Sequence, residues 1–404
     1  MSSPAGVDAL DRRTFVGISA AAGLASIQFW MTVPLAALTL AGHGVPPWQI
    51  GLIGAVPWLV LVLLVPLVPR LAARHGAMRV FRVGCWLGLA GAAAFAAGDR
   101  PWIWVIGYAL CGAGIALRWI VSDALIALLS PPHSRGRRVG LFESWIGATM
   151  AIGPLILAVT GTAGSLPFRI GVALAALALP PALAIRIPGA DSPPRSPATS
   201  AGKSTAVAPP AFRRGPLAAL AAAVRRQPAA LVAAVACGVI EGASTKLFPV
   251  QAHGLGFSES VAAASVAVFG AGNLLTQYPA GHLADRLPQA RILPAAFALV
   301  AAAALALPWA AETPWLFFSL LMVVGGTTGS LYTLAVFNAG HAPSPADAMT
   351  VVAGISLAYT LGSTLGPMLA GAAVSADLRW GLPLVIATTG LCGLGLVLRH
   401  SERA

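Results

Sequence analysis

Residues 227–250 read QPAALVAAVACGVIEGASTKLFPV, an apolar run interrupted by only two charges, Glu241 and Lys246. At about 1.5 Å of rise per residue, a helix of this length crosses the roughly 30 Å hydrocarbon layer of a bilayer. Lipid offers no water to backbone N–H and C=O groups, so such a run persists there only as a helix. A charge at mid-membrane costs at least about 2.5–3.5 kcal/mol on insertion scales, which makes Glu241 and Lys246 functional candidates.

The same pattern repeats in both directions along the chain. Apolar segments fall at 14–40, 48–69, 80–97, 102–129, 139–161 and 167–187, then at 227–250, 257–280, 292–310, 315–340, 348–373 and 381–398. Across all 404 residues 57% are hydrophobic and 9% are charged, too few charges to hydrate the surface of a soluble enzyme. The 44 Gly and 32 Pro are compatible with transmembrane helices. The expected fold is an all-α membrane protein of twelve transmembrane helices.

Net charge is +12, and its placement is a topology signal. With both termini cytoplasmic, twenty of the 25 Lys and Arg fall on the cytoplasmic side, from Arg12 and Arg13 to Arg399 and Arg403. Arg100, Arg169 and Arg379 lie outside, and Arg118 and Lys246 lie within spans. That is the positive-inside pattern, so no nucleic-acid partner is needed to explain the basic balance. Arg12-Arg13 before an apolar run has the look of a twin-arginine export signal, but eleven further spans follow, and anchoring of the first helix explains the pair better. Cys85, Cys111, Cys237 and Cys392 stand singly in apolar runs and are expected to be buried, reduced small hydrophobes.

Residues 188–226 are rich in Pro, Ser, Ala and basic residues and cannot bury a core. They are expected to form a cytoplasmic linker between six-helix bundles at 1–187 and 227–404, with a short surface helix at 215–227. The halves superpose as sequences. At an offset of 212, Gly44 meets Gly256, Arg74 meets Arg286 and Arg79 meets Arg291; at 213, Trp102 meets Trp315, Gly112 meets Gly325, and Gly153-Pro154 meets Gly366-Pro367. A duplicated six-helix unit leaves such a register, and parallel repeats of this kind describe one class of secondary transporter.

Gly281-His282-Leu283-Ala284-Asp285-Arg286, with Arg291 beyond, resembles the loop signature of the major facilitator superfamily. The first-half copy is degraded, with Pro69 for the Gly and Ala73 for the Asp. Ser134-Arg135-Gly136-Arg137-Arg138, the two Gly-Pro pairs, and Gly325-Gly326 with Tyr332 resemble the same family. The likeness spans essentially the whole chain and is closest to a bacterial branch of poorly defined substrates. It implies two pseudo-symmetric six-helix bundles and a loop, Gly281 to Arg291, that latches them. A tight turn carrying topology-setting arginines would account for Arg286 and Arg291 without a latch.

Five charges sit inside spans: Arg118, Asp123, Glu143, Glu241 and Lys246. Asp123 and Glu143 lie at similar depth on a helical hairpin whose mouth carries Arg135, Arg137 and Arg138, an arrangement expected to form an ion-pair gate on the cytoplasmic side. Arg118 is deeper, about 24 Å from Trp102, where it binds an anionic group, neutralises a carboxylate or snorkels. Glu241 lies about 21 Å into its span, near the midplane, and is paired by the repeat with Gln28. Desolvation there disfavours the charged form, which nominates Glu241 for proton coupling. Static pairing with Lys246 or Arg118 is the competing role, although a spacing of five puts Glu241 and Lys246 about 140° apart around the helix. Trp30, Thr32, Tyr108, Trp119, Asn273, Gln277, Thr327, Thr328, Tyr332 and Asn338 are candidate cavity residues.

The resemblance does not extend to the coupling Arg of proton-driven drug exporters, whose position, four residues before Gly112, holds Tyr108. The expected function is a secondary transporter, not an enzyme, in the bacterial inner membrane. It moves a small organic molecule by alternating access with protons as coupling ion, as a monomer, without cofactor or metal. Export, uptake and a non-transporting sensor on the same fold all remain compatible with the residues.

Overall fold

The structure is a computed structural model that describes residues 12–98, 100–129, 135–187, 227–284, 286–310, 312–339 and 345–401. Among the described residues every regular element is helical. The first half holds α1 (Arg12–Gly42), α2 (Pro47–Leu64), α3 (Val68–His75), α4 (Ala77–Ala97), α5 (Pro101–Leu129), α6 (Arg135–Thr160), α7 (Leu166–Leu177) and α8 (Leu179–Ala184). The second holds α9 (Pro228–Gly254), α10 (Glu259–Ala284), α11 (Gln289–Ala310), α12 (Pro314–Ala339), α13 (Pro345–Ala376) and α14 (Gly381–Ser401).

Eleven stretches are long and apolar enough to span a bilayer, and α6 contributes a shorter apolar stretch, Ser144–Thr160. The twelve spans expected from the sequence are therefore present, with two local differences. The sixth is broken into α7 and α8 at Ala178, because Pro180 and Pro181 open a new helix and cannot donate into the old one. Arg82 caps the far end of α8, its Nε donating to Ala182 O at 3.2 Å and its Nη2 to Ile185 O at 2.6 Å. The first-half loop copy is not an open turn; it coils into α3, with Val68 and Ala72 inward and Arg70 and Arg74 outward. Cys85, Cys111 and Cys237 are buried as expected, but Cys392 is exposed on α14. The expected linker at 188–226, including its surface helix, lies outside the described residues.

The repeat is visible in the backbone. Gly44 (φ 75°) and Gly256 (φ 98°) both turn the chain through the left-handed region between the first two helices of a half. Each is followed by the same closing bond, Val45 N–H to Leu40 O at 3.0 Å and Phe257 N–H to Ala252 O at 3.1 Å. Across the halves, α2 packs on α13 and α6 on α10, with α1 against α9 between them.

These contacts close the end of the bundle that carries the glycine turns. A Cβ on Gly51 would overlap the Pro367 carbonyl oxygen, and one on Gly371 would come within 2.6 Å of the Pro47 oxygen, so α2 and α13 touch backbone to backbone. Trp48 N–H donates to Ser375 Oγ at 2.9 Å beside them. On the opposite flank Thr162 hydrogen bonds Glu259, joining the α6 turn to α10.

Candidate functional site

Three charged side chains are buried among the described residues: Arg118 (4% exposed), Glu241 (7%) and Lys246 (1%). Two of them come from α9, which is buried along nearly its whole length by α10, α12, α13 and α14 from its own half and by α1 and α2 from the other.

Glu241 is held by neutral donors. Tyr359 Oη on α13 donates to Oε1 at 2.5 Å, and Asn273 Nδ2 on α10 donates to Oε2 at 3.4 Å. Asn273 is itself oriented by Gln277, whose Nε2 donates to Asn273 Oδ1 at 2.6 Å. Tyr359 is fixed edge-on between Tyr332 of α12 (centroids 5.2 Å) and Trp58 of α2 (6.1 Å). The carboxylate's hydrogen bonds thus come from neutral donors on two helices, α13 and α10.

Lys246 makes no direct bond to it, although each group feels the other's charge. Its Nζ donates to Thr245 Oγ1 at 3.0 Å, and Thr245 in turn donates to Glu241 O at 2.8 Å. The ammonium lies 5.3 Å from the Trp58 ring centroid and 6.0 Å from that of Trp30 on α1, so a residue of the second half is caged by two aromatics of the first. No ion pair joins Glu241 and Lys246.

Gln28 occupies the matching place on α1, donating through Nε2 to Thr32 Oγ1 at 2.9 Å. It is near Cys111, and so is Arg118, whose guanidinium faces Cys85 and Cys111 and makes no hydrogen bond or ion pair with the described residues. Tyr332, Asn273, Gln277 and Trp30 therefore gather around the α9 pair. Tyr108 instead packs on Phe95 (4.9 Å), and Thr327 and Thr328 return their hydroxyls to Val323 and Val324 of their own helix.

The residues expected to form the gate are only partly placed. Asp123 and Arg138 are half-buried, Gly281 is half-buried, and Arg286 and Arg291 are exposed. Arg135, Arg137 and Glu143 lie on α6, but their side chains fall outside the described ones, as do Asn338 and the whole of Asp285 and Ser134. Two site residues escape a sequence reading, Tyr359 and Trp58. The available signal was scarcity: the chain has four tyrosines, and two of them converge here.

Comparison with known proteins agrees with this architecture. The family model for the Major Facilitator Superfamily matches residues 18–250 and 229–404. An uncharacterized MFS-type transporter of Enterobacter sp. (strain 638) is 24% identical over 336 residues, covering 82% of this chain and 81% of the relative. The uncharacterized MFS-type transporter YcaD of Salmonella dublin is 24% identical over 379 residues, covering 91% and 90%. Among solved structures, the nucleoside transporter NupG superposes with a TM-score of 0.74 at 12% identity, over 96% of this chain and 98% of that one. A bacterial homologue of the human lysosomal transporter Spinster, inward-facing and unoccupied, gives 0.67 at 16% identity, over 95% and 93%. The chain belongs to the major facilitator superfamily, a family of membrane transporters.

Proposed function

We propose that the protein is a secondary active transporter that moves a small organic molecule across the bacterial inner membrane by alternating access, coupled to protons at Glu241. Both termini would lie in the cytoplasm, which puts the arginine-rich loops inside and the glycine turns outside. The observation that carries the proposal is the Glu241 carboxylate, buried where α9 meets both halves and held by donors from α13 and α10. Tyr359 and Asn273 each offer a proton to a carboxylate, and a protonated Glu241 must give up one of these bonds or turn its new O–H elsewhere. Protonation therefore changes how α9 is held to α10 and α13, and α13 is also the helix that seals against α2.

The test uses proteoliposomes given a pH gradient and a bacterial metabolite extract, with mass spectrometry to find solutes concentrated against their own gradient. The wild type accumulates or expels at least one solute, and Glu241→Gln carries it only downhill. Uphill movement by Glu241→Gln driven by the pH gradient would sink the coupling role.

A further inference from the structure

We infer that Lys246 is the seat of an anionic group on the cargo, and that the site takes the carboxylate of a small planar or aromatic organic acid. The inference rests on the transport reading above only in making this ligand the cargo. An ammonium has three N–H bonds, and among the described residues only Thr245 Oγ1 accepts one of them. Glu241 makes no hydrogen bond or ion pair with it: its oxygens accept from Tyr359 and Asn273, and its charge reaches the ammonium only through space. Aromatic faces soften the burial of a cation without satisfying its remaining donors. An oxyanion would accept those remaining donors and match the charge, which neither ring can do.

Charge arithmetic points the same way. Arg118 and Lys246 are both buried, Glu241 is the one acid buried as a whole residue among the described residues, and Asp123 is half-buried. The buried cations are therefore not outnumbered by acids, and an anion is better received than a second cation. A cationic cargo would meet the like charge of Lys246 at the same place. The surrounding surface fixes the rest of the ligand: Trp30, Trp58, Tyr332 and Tyr359 present a run of ring faces and edges from Lys246 to Glu241. The lysine stem runs along Gly54, where an added Cβ would come within 2.9 Å of Lys246 Cγ. Engaging a carboxylate draws the ammonium from the aromatic pair on α1 and α2 and so links cargo binding to a contact between halves.

Binding is measured on purified full-length protein in nanodiscs, apart from transport, by thermal unfolding and tryptophan fluorescence. The probes are benzoate and phenylacetate, with benzamide and phenylacetamide as uncharged matches and benzylamine as the cation. The acids are expected to raise the unfolding temperature and quench fluorescence, and the amides and the amine to do neither at equal concentration. Lys246→Gln should weaken acid binding by about thirtyfold or more, with Lys246→Arg remaining within a few-fold of wild type. Trp58→Phe should remove part of the quenching and Trp30→Phe with Trp58→Phe most of it. Equal effects of acids and amides on the wild type, no effect of either, or unchanged acid affinity in Lys246→Gln would each overturn the assignment. The wild-type comparison needs no variant to fold. Acids that bind but never cross proteoliposomes would refute transport and leave the site standing; uphill transport of a neutral or cationic solute with no acid binding would do the reverse.

Discussion

Tyr359, in the middle of α13, donates a 2.5 Å hydrogen bond to Glu241 on α9, and these two helices form one of the most extensive contacts in the bundle. The bond couples the one buried carboxylate among the described residues to the helix that also closes against α2. A short bond from a neutral phenol to a buried carboxylate belongs to the stronger class of protein hydrogen bonds.

Tyr359→Phe keeps the ring edge-on to Tyr332 and Trp58 and removes only the donor. Loss of a hydrogen bond to a charged group costs about 1.5–3 kcal/mol, and unfolding in mixed detergent micelles should show it. In a Glu241→Gln background the same change should cost roughly half as much, because the bond there joins two neutral groups. Equal costs in both backgrounds would mean that the phenol and the carboxylate do not meet.

Arg82 carries a different kind of bond. It is half-buried, and its fork reaches two carbonyls, Ala182 O and Ile185 O, at the end of the broken sixth span. Arg82→Ala should lower stability by about 1–3 kcal/mol, and Arg82→Lys should recover little of it, since a single ammonium cannot copy the planar fork. Hydrogen exchange would localise the loss to 179–187. Faster exchange spread evenly over the first half would contradict a local cap.

The spans were legible because charges are scarce and long apolar runs have few alternatives, so their ends fall within a few residues of the spanning helices. Gly44 and Gly256 were legible as a repeated pair, since one turn geometry demands the same residue twice. The break at Ala178 was written in Pro180-Pro181, yet an apolar run continues through it, and hydropathy does not register a missing N–H. The coil of α3 follows from Val68 and Ala72 recurring at a helical spacing of four, a signal hidden by its resemblance to a loop motif. Within the site, the buried charges announce their own positions by their cost. Tyr359 and Trp58 do not, because an aromatic residue inside an apolar span looks like packing until the helix opposite is known. No spacing along the chain records that α13 brings a phenol to α9, or that α2 brings an indole to Lys246.

The close approach of α2 and α13 supplies the last test. Gly51 and Gly371 allow backbone contact that any side chain would forbid, at the end of the bundle where Trp48 N–H reaches Ser375 Oγ. Valine at position 51 must push α13 away from Pro367, because a carbonyl oxygen on a packed helix cannot move aside as a flexible side-chain tip would. The sealed arrangement is then disfavoured while each half keeps its own core. Trp48→Cys with Ser375→Cys, in a Cys392→Ser background that removes the exposed native thiol, gives a pair that a short bis-maleimide should join efficiently. Adding Gly51→Val should cut that cross-linking several-fold, and Gly42→Val, at a glycine with open space around it, should leave it unchanged. Undiminished cross-linking with Gly51→Val would show that the α2–α13 contact does not hold this end shut.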